Sequence, residues 1–236
     1  MGSKVQRSNM QRADVKRAYY ALPPGGWRDY VTILHLPYTA WNLSYVALGA
    51  ALAPHFHVNR LLLGLAAFAL ALGVSAHALD ELHGRPLRTQ IPTPVLVGLA
   101  AVSLAGACAI GVVAAAAWGW WLLAFIGVGA VLVPAYNLEL AGGIIHNEPG
   151  LALSWGAFPI LTGYFVEAQT IRLEAVLAAG YGAVLIMAQR TLSTPAREAR
   201  RVRGAAADAE PYERALRLIG LAVVLLACAV VAARLT

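Results

Sequence analysis

Long apolar runs separated by short polar breaks dominate this chain. A membrane crossing needs about 20 apolar residues. Seven runs approach that length, near 31–53, 61–80, 94–116, 118–137, 150–167, 173–190 and 214–235. Each predicts a helix, because a lone segment in hydrocarbon satisfies its backbone only through helical hydrogen bonds. The third and fourth runs meet at Trp118, Gly119, Trp120 and Trp121, where the pattern predicts a tight turn with an interfacial aromatic belt. Glycines recur in the third to sixth runs (Gly98, Gly106, Gly111, Gly127, Gly129, Gly163, Gly180 and Gly182) and permit close helix packing.

Composition agrees with the pattern. Of 236 residues, 59% are hydrophobic and 13% charged, about half the charged share of a soluble domain. The expected fold is all-α: a polytopic membrane helical bundle of about seven transmembrane helices. Residues 1–30 form a basic N-terminal arm and 31–236 a single bundle domain. No apolar core with a small-residue cleavage site occurs in the first 30 residues, so the first run is expected to act as the insertion signal. The arm is expected to carry a short amphipathic helix around 15–22 that lies on the membrane surface. Cys108 and Cys228 sit inside apolar runs and read as small core residues, neither a disulfide nor a metal pair.

The net charge of +6 raises the question of nucleic acid. No basic, aromatic-interleaved soluble module accompanies it, which excludes a nucleic-acid partner. The basic residues instead flank the apolar runs and set orientation. With the amino terminus in the cytoplasm, inner segments hold 15 of the 18 Lys and Arg, and outer segments hold only Arg60, Arg172 and Arg234. This split predicts a multi-pass protein of the cell's inner (plasma) membrane, with the carboxyl terminus outside. Residues 191–212 read as a polar inner loop. Its five arginines between Arg190 and Arg203 make it either a solvated anchor or a basic flap over a phosphate-bearing substrate.

Orientation decides which polar groups can meet. The stretch 75–89 ends the second run and holds His77, Asp80, Glu81, His83, Arg85 and Arg88. Helical spacing puts His77, Asp80 and Glu81 on one face. Ionisable groups at a membrane helix are costly and are functional candidates by default. A second polar stretch, with Asn137, Glu139, His146 and Glu148, falls on the same side, and the two are expected to share one cavity. His55, His57 and Glu167 fall at the other face, about a bilayer away. Asn42, mid-run, is interhelical glue or a ligand contact.

The chemistry these residues permit is not single. Asp80 and Glu81 can hold Mg²⁺, and Mg²⁺ can hold a diphosphate. Arg85 and Arg88 suit phosphate oxygens, and His77 or His83 suits a general base. Imidazole also favours transition metals. His77, Asp80, Glu81, Glu139, His146 and Glu148 are therefore candidate ligands for Fe, Zn or Mn, as in di-iron bundles. A charged collar that fixes helix depth, in a scaffold or lipid-binding subunit, is the third reading.

The order of features resembles the UbiA superfamily of membrane prenyltransferases. The likeness is carried by His35, Pro37, Tyr38, Trp41 and Asn42 with the small residues 46–52, by 76–89 against the family's first acidic motif, and by 133–152 against its connection between helices four and five. In that motif Ala76 stands for Asn, His77 for the first Asp and Gly84 for the third, while Asp80 is kept. The paired acids of the second motif have no counterpart after Gln189, and the family has nine spans. The resemblance implies a helical bundle with a lipid-open cavity and metal-assisted transfer of an isoprenoid or other lipid. It also implies substrate contacts from Asn42, Arg85, Arg88, Tyr136 and Asn137.

Overall fold

The computed structural model describes residues 17–201 and 208–236. It is 80% helical, and no strand occurs among the described residues. A short helix, α1 (Trp27–Ile33), precedes α2 (Leu36–Leu52). Helix α3 (Val58–Leu82) runs unbroken through a π-helical stretch at Ala69–Ala76. Then come α4 (Thr93–Trp118) and α5 (Leu122–Asn137). Helix α6 covers 148–168, again with a π-helical middle, Ala152–Ala157. Helices α7 (Leu173–Arg201) and α8 (Glu210–Leu235) complete the bundle. Except at the end of α7, the helix boundaries lie close to those the hydropathy pattern predicts. Four of them (α3, α4, α7 and α8) are long and apolar enough to cross a membrane. The chain is a multi-pass helical membrane protein.

Backbone contact between helices sets the geometry. A Cβ on Gly49 of α2 would lie 2.0 Å from the Ile160 carbonyl oxygen of α6. One on Gly163 would lie 2.2 Å from the Val46 oxygen. Gly156 of α6 and Gly182 of α7 meet in the same way, at 2.6 and 2.5 Å from each other's carbonyl oxygens. Only glycine fits at such crossings, and dispersion is what joins helices in lipid. Around these welds Trp41, Tyr45, Leu72, Trp155, Ile160 and Ile186 form the main core. Large apolar side chains of α4 and α8, such as Val97, Val102, Leu221 and Leu225, face outward.

Two expectations change. Lys4, Arg7, Arg12 and Lys16 of the basic arm lie outside the described residues. Residues 17–22 are no amphipathic helix: the backbone turns at Tyr19–Tyr20. The polar stretch expected as a loop from 191 is helix as far as Arg201. Pro195 removes one backbone donor there. Thr191 and Ser193 turn their hydroxyls back onto the Met187 and Arg190 carbonyls, at 3.0 and 3.2 Å, and the helix passes through. Residues 202–207, with Arg203, lie outside the described residues.

Candidate functional site

The end of α3 and the loop after it are organised by Glu81. This fully buried carboxylate accepts the Leu87 and Thr89 backbone N–H groups, at 2.9 and 2.7 Å, and the Thr89 hydroxyl at 2.9 Å. Asp29 of α1 accepts the Gly25 and Gln90 N–H groups at 3.0 and 2.7 Å. Arg85 donates to the Thr89 and Ile91 carbonyls, at 3.3 and 2.6 Å, and to the Thr93 hydroxyl at 3.0 Å. Arg17 donates to the Leu22 and Leu87 carbonyls. Gly84, Arg85 and Arg88 take positive φ, the left-handed backbone that such ties hold in place. Glu81 and most of the Arg85 guanidinium are thus committed to the loop. The shared helical face that the spacing predicts divides the labour: Glu81 turns to the loop, while His77 and Asp80 turn to a void.

That void is a cavity of about 800 Å³. Its walls are the segment 17–21, the start of α2, His77 and Asp80 of α3, the loop 84–88, and the facing ends of α7 and α8. Seven arginines line it (Arg17, Arg85, Arg88, Arg197, Arg200, Arg201 and Arg217) against two carboxylates, Asp80 and Glu198. Some arginines are tied: Arg200 pairs with the buried Glu213 at 2.5 Å, and Arg217 with Glu210 at 2.6 Å. Arg197 makes only a long bond to Thr194, at 3.4 Å, and Arg201 makes none among the described residues. The Asp80 carboxylate likewise accepts no hydrogen bond among the described residues, although it is largely enclosed. Its charge is open to whatever enters the cavity.

An aromatic stack forms the adjoining wall. The His35 ring lies 3.9 Å from that of Tyr20 and 5.3 Å, nearly parallel, from that of His77, with Tyr38 at 5.5 Å. Burial pushes the Tyr20 hydroxyl above its ordinary range, against the opposing pull of Arg200 and Arg197, so it stays a neutral donor. The His77 Nδ1 lies 3.2 Å from the Gly73 carbonyl oxygen, inside the π-helical stretch. A carbonyl only accepts, so Nδ1 carries the hydrogen, and in the neutral ring Nε2 is the acceptor.

The second polar stretch does not reach this cavity. None of Tyr136, Asn137, Glu139, His146 and Glu148 lines it, nor does His83 or Asn42. The expectation of one pocket shared by the two stretches is corrected in part: the arginine-bearing end of α7 lines the cavity opposite 77–88, and the two stretches meet beside it, where His83 approaches Glu139. The second stretch instead folds on itself, with positive φ at Glu139, Ala141, Gly142 and Gly143. There the His83 and His146 Nε2 atoms stand 3.9 and 3.6 Å from Glu139 Oε1. His146 Nδ1 donates to the Tyr136 carbonyl at 3.0 Å. Glu148 approaches Arg190 at 3.9 Å. Asn42 and Asn137 bond the Tyr38 and Val133 carbonyls of their own helices, at 3.0 and 2.7 Å. Among the described residues, no group of three or more His, Cys, Asp or Glu converges closely enough to hold a metal ion.

Sequence reasoning did not single out Tyr20, and it read Arg197 and Arg201 only as members of an arginine-rich flap, not as helical neighbours. Arg197, Arg200 and Arg201 stand at i, i+3 and i+4, a signal available once 191–201 is taken as helix. No family model, curated protein or solved structure matches this chain.

Proposed function

We propose that the chain is a bundle of seven membrane-crossing helices whose arginine-lined cavity faces the cytoplasm and takes the anionic head of a phosphate-bearing lipid. The 15 to 3 distribution of Lys and Arg supports that orientation, with the amino terminus inside and the carboxyl terminus outside. One observation carries the reading: Asp80, without a partner among the described residues, faces a cavity of about 800 Å³ whose walls hold seven arginines. An anion would account for the arginines, and a divalent cation held by Asp80 together with substrate phosphate would account for the open carboxylate.

Following the UbiA resemblance of 76–89, the lipid is an isoprenoid diphosphate and the activity a prenyl transfer. Asp80 fits Mg²⁺, which is commonly held by one or two carboxylates together with substrate phosphates. When bound, the ion neutralises charge on the departing diphosphate. Arg197 and Arg201 contact phosphate oxygens. His77 Nε2 accepts the proton of an incoming acceptor group, a task its fixed tautomer suits. The mixed His/carboxylate set for Fe, Zn or Mn fits less well, because no three of these side chains converge closely enough to hold a metal ion among the described residues. A lipid-binding subunit without turnover needs the same cavity and predicts binding alone.

The test is diphosphate release from an isoprenoid diphosphate by the purified full chain with Mg²⁺, compared with Asp80→Asn. Wild-type turnover that the variant loses supports the enzyme. Binding without turnover leaves the lipid-binding subunit, and absence of binding ends both readings.

A further inference from the structure

One wall of the arginine-lined cavity is not helix. Residues 17–22 run as irregular chain with a turn at Tyr19–Tyr20, and Arg17 to Ala21 line the void. The segment touches three further walls. On the side of the loop 84–88, the Arg17 guanidinium donates to the Leu87 and Arg88 carbonyls, at 3.0 and 3.3 Å. Where α2 begins, the Tyr20 ring packs on His35, with 3.9 Å between centroids. On the α8 side, the Tyr19 ring lies under Arg217, 5.1 Å from its guanidinium carbon. Behind the turn, the Leu22 N–H donates to the Thr32 hydroxyl of α1 at 3.0 Å.

These ties are unequal. Hydrogen bonds hold the segment at the loop and at α1. Among the described residues, no hydrogen bond joins it to α7 or α8. Across the mouth it rests on a ring face alone, and a cation–π contact at an exposed site is weak. A segment with few bonds along one edge opens there at low cost.

Tyr20 supplies a second observation. Burial keeps its hydroxyl a neutral donor, despite the nearby Arg200 and Arg197. The hydroxyl makes no hydrogen bond among the described residues, and neither carboxylate of the cavity, Asp80 or Glu198, accepts from it. Arginines only donate, so a phenol among them lacks an acceptor. A phosphate oxygen serves both.

Resting on the function proposed above, we infer that residues 17–22 form a lid over the cavity, and that the Tyr20 hydroxyl donates to the phosphate of the bound lipid head and latches the lid only while the cavity is occupied. The ligand then adds to the closed lid a bond that the empty cavity lacks, and such a difference between two states is what shifts their balance. Entry requires the lid to open on the α8 side. Exit requires the latch to break first, and a bond to a charged group outweighs the cation–π contact beside it.

The test is the binding kinetics of inorganic diphosphate and of an isoprenoid diphosphate, each with Mg²⁺, on the purified full chain in detergent. Tyr20→Phe keeps the ring on His35 and removes only the hydroxyl. Dissociation of both ligands should quicken roughly tenfold, the worth of one hydrogen bond to a charged group. Association and the unfolding midpoint should stay as in the wild type. Thr32→Val removes the hydroxyl that anchors Leu22, outside the cavity lining. It should speed association and dissociation alike and leave affinity nearly constant. Wild-type dissociation in Tyr20→Phe overturns the latch, and wild-type rates in Thr32→Val overturn the lid. An effect of Tyr20→Phe on the inorganic ion alone overturns the assignment to a lipid head. If the wild type binds neither ligand, the function proposed above falls and the latch falls with it. Binding with unchanged variant rates removes the lid and latch alone.

Discussion

The two ends of the bundle carry the same kinds of side chain and use them differently. At the end away from the cavity, Glu167 Oε2 accepts both the backbone N–H and Nδ1 of His57, each at 2.9 Å. Arg60 donates to the Val166 and Glu167 carbonyls, at 3.1 Å each, and lies over Trp118. Arg234 donates to the Ala53 and Pro54 carbonyls, at 3.1 Å each. Charge there ties chain turns together, and only Glu167 Oε1 is left buried without a partner. At the cavity end, Glu81, Asp29 and Arg85 do the same tying, yet Asp80, Arg197 and Arg201 stand beside them uncommitted. An ionisable group in a membrane protein is a functional candidate only when the structure has no other task for it. That criterion separates Asp80 from Glu81, its neighbour in sequence.

The comparison can be broken by substitution, and the largest effect belongs to the tying groups. Glu81→Ala strands two backbone N–H groups and a hydroxyl, and should lower stability by about 3–5 kcal/mol. Thermal unfolding in detergent measures this, and an unchanged midpoint would show that the loop does not depend on that carboxylate. Asp80→Asn should reverse the pattern. Unfolding stays as in the wild type, while Mg²⁺-dependent binding of an isoprenoid diphosphate weakens roughly ten- to a hundredfold, the worth of one charged contact. A destabilised Asp80→Asn protein with intact binding would invert the assignment.

Smaller effects sharpen it further. Glu167→Ala, at the far end, should cost about 1–3 kcal/mol of stability through the unpaired His57 N–H, with ligand affinity unaltered. Arg197→Ala is the mildest: affinity should fall about three- to fivefold, as for a solvated ion pair. The loss should shrink as salt rises, because screening removes the same interaction. Titrations at two ionic strengths check this, and equal losses in both would exclude a phosphate contact from Arg197.

Much of the architecture was legible in the order of residues. Apart from the end of α7, hydropathy placed the helices to within about five residues, including the break at Gly119, because a segment in hydrocarbon has few options besides helix. Reading 191–201 as a loop failed for a local reason: Pro195 and a run of arginines mimic a linker, whereas a single proline removes one backbone donor and the helix continues past it to Arg201. The site was half legible. His77 and Asp80 stood out as ionisable groups in an apolar run, and they do line the cavity. Their expected partners, Glu139, His146 and Glu148, do not, because the left-handed turn at Glu139, Ala141, Gly142 and Gly143 closes that stretch on itself.

Residue order by itself determined that this chain folds into apolar helices, four of them long enough to cross a membrane, since solvation of the backbone acts on each segment alone. Which carboxylate stays uncommitted and which arginines line the cavity with it were decided by tertiary structure. Those outcomes depend on backbone contacts such as Gly49 with Ile160 and Gly156 with Gly182, which join residues more than a hundred and some twenty-five positions apart. No periodicity within one helix carries that information.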